Sequence, residues 1–153
     1  MLRYGDRTSR GTWLLDTGGT VSLISTRQAA RLGLIREDGT QIVKPDFSLP
    51  LGGIGQMTMA PGYQIGAMIV PTTSGRNLVF EGVRLGVHDI AFFDEQKQQM
   101  SVLDGIFGSN FLCASAKIQG LLPADVSQTP FDKVVIDMHR TVMGLRFSQG
   151  LKP

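Results

Sequence analysis

Asp16 is the residue of this chain best placed for acid–base chemistry. It stands in Trp13-Leu14-Leu15-Asp16-Thr17-Gly18-Gly19-Thr20-Val21-Ser22-Leu23-Ile24-Ser25, where an apolar run ends on a carboxylate, a small polar residue and two glycines follow, and a second apolar run begins. The pattern predicts a sharp turn between buried strands. Burial there would raise the carboxyl pKa, the glycines would admit a second backbone or a ligand, and the Thr17 hydroxyl would lock the turn. An ordinary β-turn explains Asp-Thr-Gly-Gly equally well on its own, since Asp and Gly dominate turns in any protein.

The other groups with chemical potential have plainer explanations. Asp104 reads as a turn or cap residue and Asp137 as an outward-facing or turn-forming carboxylate of an apolar strand. His88 and His139 lack a neighbouring ligand pattern, and with Cys113 they make neither a zinc set nor a Cys-His nucleophile pair. Ser25 and Ser109 read as helix caps, because neither lies in a Gly-x-Ser-x-Gly elbow. Phe92, Phe93, Phe107, Phe111 and Phe147 are expected in the core, since they lack the interleaved basic residues of a base-stacking platform. Gly52-Gly53-Ile54-Gly55 suggests a flexible loop or a phosphate cradle, but a dinucleotide fingerprint from Gly53 would need glycine where Thr58 stands.

Three segments in order carry a resemblance. The Asp16 segment resembles the active-site loop of aspartic proteases, specifically the retropepsin-like family with its single Asp-Thr-Gly lobe, one half of a pepsin-type enzyme. Ile106-Phe107-Gly108, within Val102-Leu103-Asp104-Gly105-Ile106-Phe107-Gly108-Ser109-Asn110-Phe111-Leu112, is similar to the family's apolar-apolar-Gly segment, which passes behind the catalytic loop and leads into a short helix. Leu51-Gly52-Gly53-Ile54-Gly55-Gln56-Met57 is similar to the glycine-rich tip of the substrate-covering flap. Together with a helix and a final strand pair, the order spans roughly residues 12 to 147.

The resemblance implies an all-β acid-protease lobe, a small closed β-barrel with one or two short helices, that hydrolyses peptide bonds without metal or organic cofactor. Asp16 would be catalytic, Thr17, Gly18, Ile106, Phe107 and Gly108 would support its loop, and Gly52, Gly53, Ile54 and Gly55 would hold the substrate backbone like an added strand. Such hydrolysis needs two carboxylates sharing a proton, and this chain has one Asp-Thr-Gly. The second would come from an identical subunit across a twofold axis or from another lobe of a longer protein. Two departures favour a different outcome, a catalytically silent lobe or binding module. Gly19 replaces the usual Ala or Ser, and Leu2-Arg3-Tyr4 is a meagre first strand.

The elements that must position these residues are legible from composition. The 153 residues, 42% hydrophobic and 18% charged, predict one ordered domain over 1–153 and exclude disorder. No apolar run reaches the length of a membrane-spanning helix. Fifteen Lys and Arg against thirteen Asp and Glu give +2, too little to imply a nucleic-acid partner by electrostatics alone. A single cysteine rules out an internal disulfide. The first residues hold no apolar signal segment, and the compartment is left open.

Nineteen glycines and seven prolines cut the chain into short runs rich in Val, Ile, Leu, Thr and Phe. Strands are predicted at Thr12–Leu15, Val21–Ile24, Gln41–Val43, Gln56–Met59, Tyr63–Val70, Leu78–Leu85, His88–Phe93, Lys133–Met138 and Val142–Phe147. A helix is predicted from an N-cap at Ser25, with Gln28 completing a capping box and Gly33 as the stop. A second helical turn is predicted from Ser109 through Phe111 and Leu112 toward Lys117. Loops are expected at Pro71–Asn77 and Gln119–Pro130.

Overall fold

The apolar runs become a chain of strands, most of them short and two long, in the computed structural model, which describes residues 1–53, 56–112 and 130–149. In chain order these are β1 (Leu2–Tyr4), β2 (Arg7–Ser9), β3 (Trp13–Asp16), β4 (Leu23–Ile24), the helix α1 (Thr26–Arg31), β5 (Phe47–Gly53), β6 (Gln56–Pro71), β7 (Asn77–Val87), β8 (Ala91–Asp94), β9 (Gln99–Val102), β10 (Gly105–Gly108), a 3-10 turn (Ser109–Phe111), β11 (Phe131–Asp137) and β12 (Val142–Phe147). With 55% strand against 7% helix among the described residues, the fold is all-β.

Eight strands form one sheet in the order β2-β1-β6-β7-β4-β10-β3, with β5 paired to β6. The sheet curls into a half-barrel and does not close as expected. Its path ends at two short edge strands, β2 and β3, which do not pair with each other. The β11–β12 and β8–β9 hairpins stand apart from this sheet. Val134, Met143, Leu145 and Phe147 of the first pack against the core.

Inside the curl, Leu2, Ile24, Tyr63, Ile65 and Leu85 are fully buried. Aromatic rings tie the late elements to the sheet. Phe80 of β7 meets Phe111 edge-on at 4.9 Å and Phe131 at 6.0 Å, and Phe107 stacks on Phe111 at 4.8 Å. Phe107, Phe111 and Phe147 thus sit as expected, whereas Phe92 and Phe93 are exposed.

The helix begins where its cap predicts. The Ser25 hydroxyl accepts from the Gln28 amide at 3.2 Å, and Gly33 takes the left-handed φ of +74° beyond the C-terminus. The reciprocal half of the capping box is absent, because Gln28 is buried and its side chain turns to Ser9 Oγ and the Arg10 carbonyl. The Ser25 amide donates instead to the Asp104 carbonyl.

Other departures have local causes. Gln41–Val43 makes only a single bridge, Ile35 to Gln41, because the Ile42 and Val43 amides both turn to the Leu34 carbonyl. The two strands predicted on either side of Pro61 are one, β6. Pro61 lies opposite Ser48 of β5, in the half of β6 that has no second neighbour, where its missing N–H is not needed. His88 donates its amide to Ile24 and interrupts the run toward Phe93. The second helical turn is limited to Ser109–Phe111 among the described residues, and the predicted loop from Gln119 lies outside them up to residue 129.

Asp104 is a fastener rather than a simple turn residue. Its carboxylate accepts from the Thr12 amide at 3.0 Å and pairs with Arg27, joining β3, α1 and the start of β10. Burial opposes its ionisation, but hydrogen bonds from Gln28, Thr12 and Arg27 outweigh that and hold its carboxyl below the ordinary value. The stability it adds is complete above the unfolded-state pKa of about 3.9 and is lost as pH falls through the lower folded value. Asp104→Asn should therefore cost about 1 kcal/mol at neutral pH, kept small by solvent screening. Urea titrations should show that gap closing below about pH 4, and a gap unchanged in acid would contradict this role. In the same assay Phe111→Ala should cost about 3–5 kcal/mol and exposed Phe93→Ala less than about 0.5 kcal/mol.

Candidate active site

Asp16 ends β3, and its backbone turns at once because the side chain binds the two amides that follow. Oδ1 accepts from Gly18 N and from Gly19 N, each at 2.9 Å. The turn is thus closed by Asp16 itself, while Thr17, expected to lock it, is exposed. The same bonds leave Oδ2 free of these two amides. A side chain at position 19 would put its Cβ 2.7 Å from Oδ2, so this carboxylate orientation requires Gly19.

The strands beside Asp16 are less buried than the sequence predicts. Asp16 is half-buried, and Leu14 and Leu15 are 48% and 38% exposed, because β3 is the last strand of the sheet and has a neighbour on one side only among the described residues. That neighbour is β10. It pairs with β3 in parallel, Ile106 with Leu14, Phe107 with Leu15 and Gly108 with Asp16. On its other edge β10 pairs with β4 antiparallel, Gly105 with Ile24 and Ile106 with Leu23. The segment Gly105–Gly108, buried throughout, therefore threads between the two arms of the Asp16 loop.

Glycine at 108 is needed for this threading, since a Cβ there would come within 2.5 Å of the Val21 carbonyl oxygen. The close approach is held by polar groups that the sequence reading missed. The Gly108 amide donates to Ser22 Oγ at 2.8 Å, and that hydroxyl donates to Asn110 Oδ1 at 2.8 Å. Ser109 donates to the Gly19 carbonyl twice, from its amide at 2.7 Å and its hydroxyl at 2.9 Å. Ser109 is thus no helix cap. Gly108 occupies the cap position, without a side-chain bond. The legible signal was Ser22, a lone hydroxyl inside the apolar run Val21–Ile24.

Gly52 and Gly53 end β5 and pair with Met57 and Gln56 of β6. Ile54 and Gly55, the remaining predicted flap residues, lie outside the described residues. Before Gly62 the β5–β6 pair extends past β7, since β6 pairs with β7 only from Gly62 onward. Asp137 accepts from the Arg140 amide at 2.9 Å in the β11–β12 turn, a structural duty. Among the described residues no three His, Cys, Asp or Glu side chains are grouped to hold a metal ion.

No family model, curated protein or solved structure matches this chain. A carboxylate fixed by two amides, at an open sheet edge and backed by a buried strand, can present one oxygen outward to a water or to a second acid.

Ser22→Ala should leave the Gly108 amide and Asn110 without their buried partner and cost about 1–3 kcal/mol. Gly108→Ala should be worse, because its Cβ would strike backbone. Denaturant melts rank the two, and a Gly108→Ala protein as stable as wild type would disprove the tight crossing.

Proposed function

We propose that the protein is an aspartic endopeptidase of the retropepsin-like type, in which Asp16 of two subunits forms the catalytic pair. The observation that carries this reading is the threading of Gly105–Gly108 between the arms of the Asp16 loop. That arrangement would hold the Asp16 carboxylate at the sheet edge, which supports the reading together with the order of loop, helix, hairpin and apolar-apolar-Gly segment along the chain. The glycine-tipped hairpin supplies a strand edge suited to an extended polypeptide.

In this reaction one Asp16 carboxylate is ionised and takes a proton from a bound water, while the other is protonated and polarises the scissile carbonyl. The hydroxyl adds to the carbonyl carbon, the proton passes to the leaving amine, and the C–N bond breaks. A lone carboxylate cannot be base and acid in the same step. A twofold dimer resolves this with one residue, and the exposed Leu14 and Leu15 beside Asp16 supply apolar area for such a contact.

Asp16→Asn should abolish cleavage of an unfolded protein substrate while leaving the melting temperature nearly unchanged, because the change is isosteric. Wild-type specific activity should rise with protein concentration as dimer forms, followed by sedimentation in parallel. It should be greatest in acidic to mildly acidic medium, where two facing carboxylates retain one proton, and should survive chelators. Turnover by folded Asp16→Asn protein, or by a strict monomer, would sink the shared-carboxylate mechanism.

A further inference from the structure

The curled sheet leaves an apolar cavity of about 280 Å³ between strands far apart in its order. One wall belongs to β3 and β10, with Trp13, Leu15 and Phe107. The facing wall belongs to the β6–β7 pair, with Met68, Val70 and Leu78. Met143 and Leu145, alternate residues of β12, lie along a third side. The topology explains the gap, since β3 ends the sheet at one side, β1 and β2 end it at the other, and no strand pairs across among the described residues.

The walls owe their character to register. Trp13 pairs with Gly105 and Leu15 with Phe107, and strand alternation sets these side chains on one face of β3 and β10, with Leu14 and Asp16 on the other. Gly105 lacks the Cβ that would stand 2.8 Å from the Trp13 ring, so the indole lies close against β10. Trp13, Val70, Leu78, Met143 and Leu145 pack against the core yet stay only partly buried, and Leu15 is 38% exposed. A stretch of core surface therefore meets solvent inside a concavity. No side chain lining it carries a charge. The Met1 ammonium is engaged by the Ile69 carbonyl at 2.8 Å. Water there finds few polar partners, and apolar atoms that displace it gain affinity.

We propose that this cavity is a binding site for a flat, uncharged aromatic molecule of about two fused rings. Size sets the first limit, because an apolar cavity of about 150 Å³ accepts a single benzene ring and this one is nearly twice as large. Wall chemistry sets the second. The Trp13 indole and the Phe107 ring favour stacked or edge-on rings, and the thioethers of Met68 and Met143 make favourable contacts with aromatic edges and adapt to the shape between them. A charged or strongly polar guest would lose its water without finding partners. A protein partner fits poorly, since a specific contact takes about 800 Å² from each side, far more than the walls of such a cavity supply. Because Asp16 lies on the other face of β3, an occupant leaves its carboxylate uncovered. This inference goes beyond the proposed peptidase and does not depend on it.

Free indole, an uncharged fused ring pair, is the probe. The chain has one tryptophan, so its side-chain N–H gives a single cross-peak in a proton–nitrogen correlation spectrum. Unlabelled indole titrated into the labelled full chain should move that peak saturably and give nuclear Overhauser contacts to the Met68 and Met143 methyl groups. Adenine, similar in shape but edged with polar atoms, should bind at least about tenfold more weakly. Met143→Phe with Leu145→Phe should fill the space and lower indole affinity by about tenfold or more, with a melting curve to show that the variant is folded. The Overhauser contacts are read in the wild type and decide the matter even where the filled variant unfolds. Absence of saturation, adenine binding as tightly as indole, undiminished binding by the folded variant, or contacts to exposed Phe93 and Met100 in place of Met68 and Met143 would each overturn the proposal.

Discussion

Everything around Asp16 depends on one steric constraint, the passage of β10 between β3 and β4. These two strands belong to one continuous loop, so a third strand can lie between them only if the loop opens and the intruder is slim where it crosses. Gly108 meets that need, since even a methyl group would overlap the Val21 backbone. Gly19 meets it on the other side, lying against the Asp16 carboxylate and offering its carbonyl to Ser109. Ser22 then satisfies the buried Gly108 amide, which would otherwise be costly to leave unpaired.

That crossing links stability to the site. Phe107, one residue before Gly108, stacks on Phe111, which in turn meets Phe80 of β7. The strand behind the carboxylate is thereby anchored in the aromatic core while the carboxylate stays at the sheet edge. Asp104 anchors the other end of the same short strand through Thr12 and Arg27. With both ends held, the position of Asp16 is set by packing and hydrogen bonds within the fold, the preorganisation that the proposed peptidase chemistry would need.

Much of this could be read in the sequence because it rests on local chemistry. Ser25 and Gly33 bound the helix through their own backbone and side-chain preferences, and Asp16 before two glycines signals a tight loop whatever lies around it. The alternation of short apolar runs with glycine and proline predicts an all-β chain. What could not be read depends on distant neighbours. Gln28 forsakes its expected partner for Ser9, which another strand brings alongside, and Ser109 finds Gly19 rather than a helix amide. The exposure of Phe92 and Phe93 follows from a hairpin standing apart from the sheet, a tertiary fact without a local pattern. Pro61 looks like a strand breaker until β6 is seen to lack a second neighbour there.

On the proposed reading, the edge at β3 brings two Asp16 carboxylates together. A crystal structure of the protein at a concentration where it is most active tests this directly. A twofold axis through the Asp16 loops is expected, with carboxylate oxygens of the two subunits about 2.5–3.0 Å apart and sharing a proton or a water. Asp16 facing bulk solvent in every copy, or two such loops far apart in the active species, would contradict it.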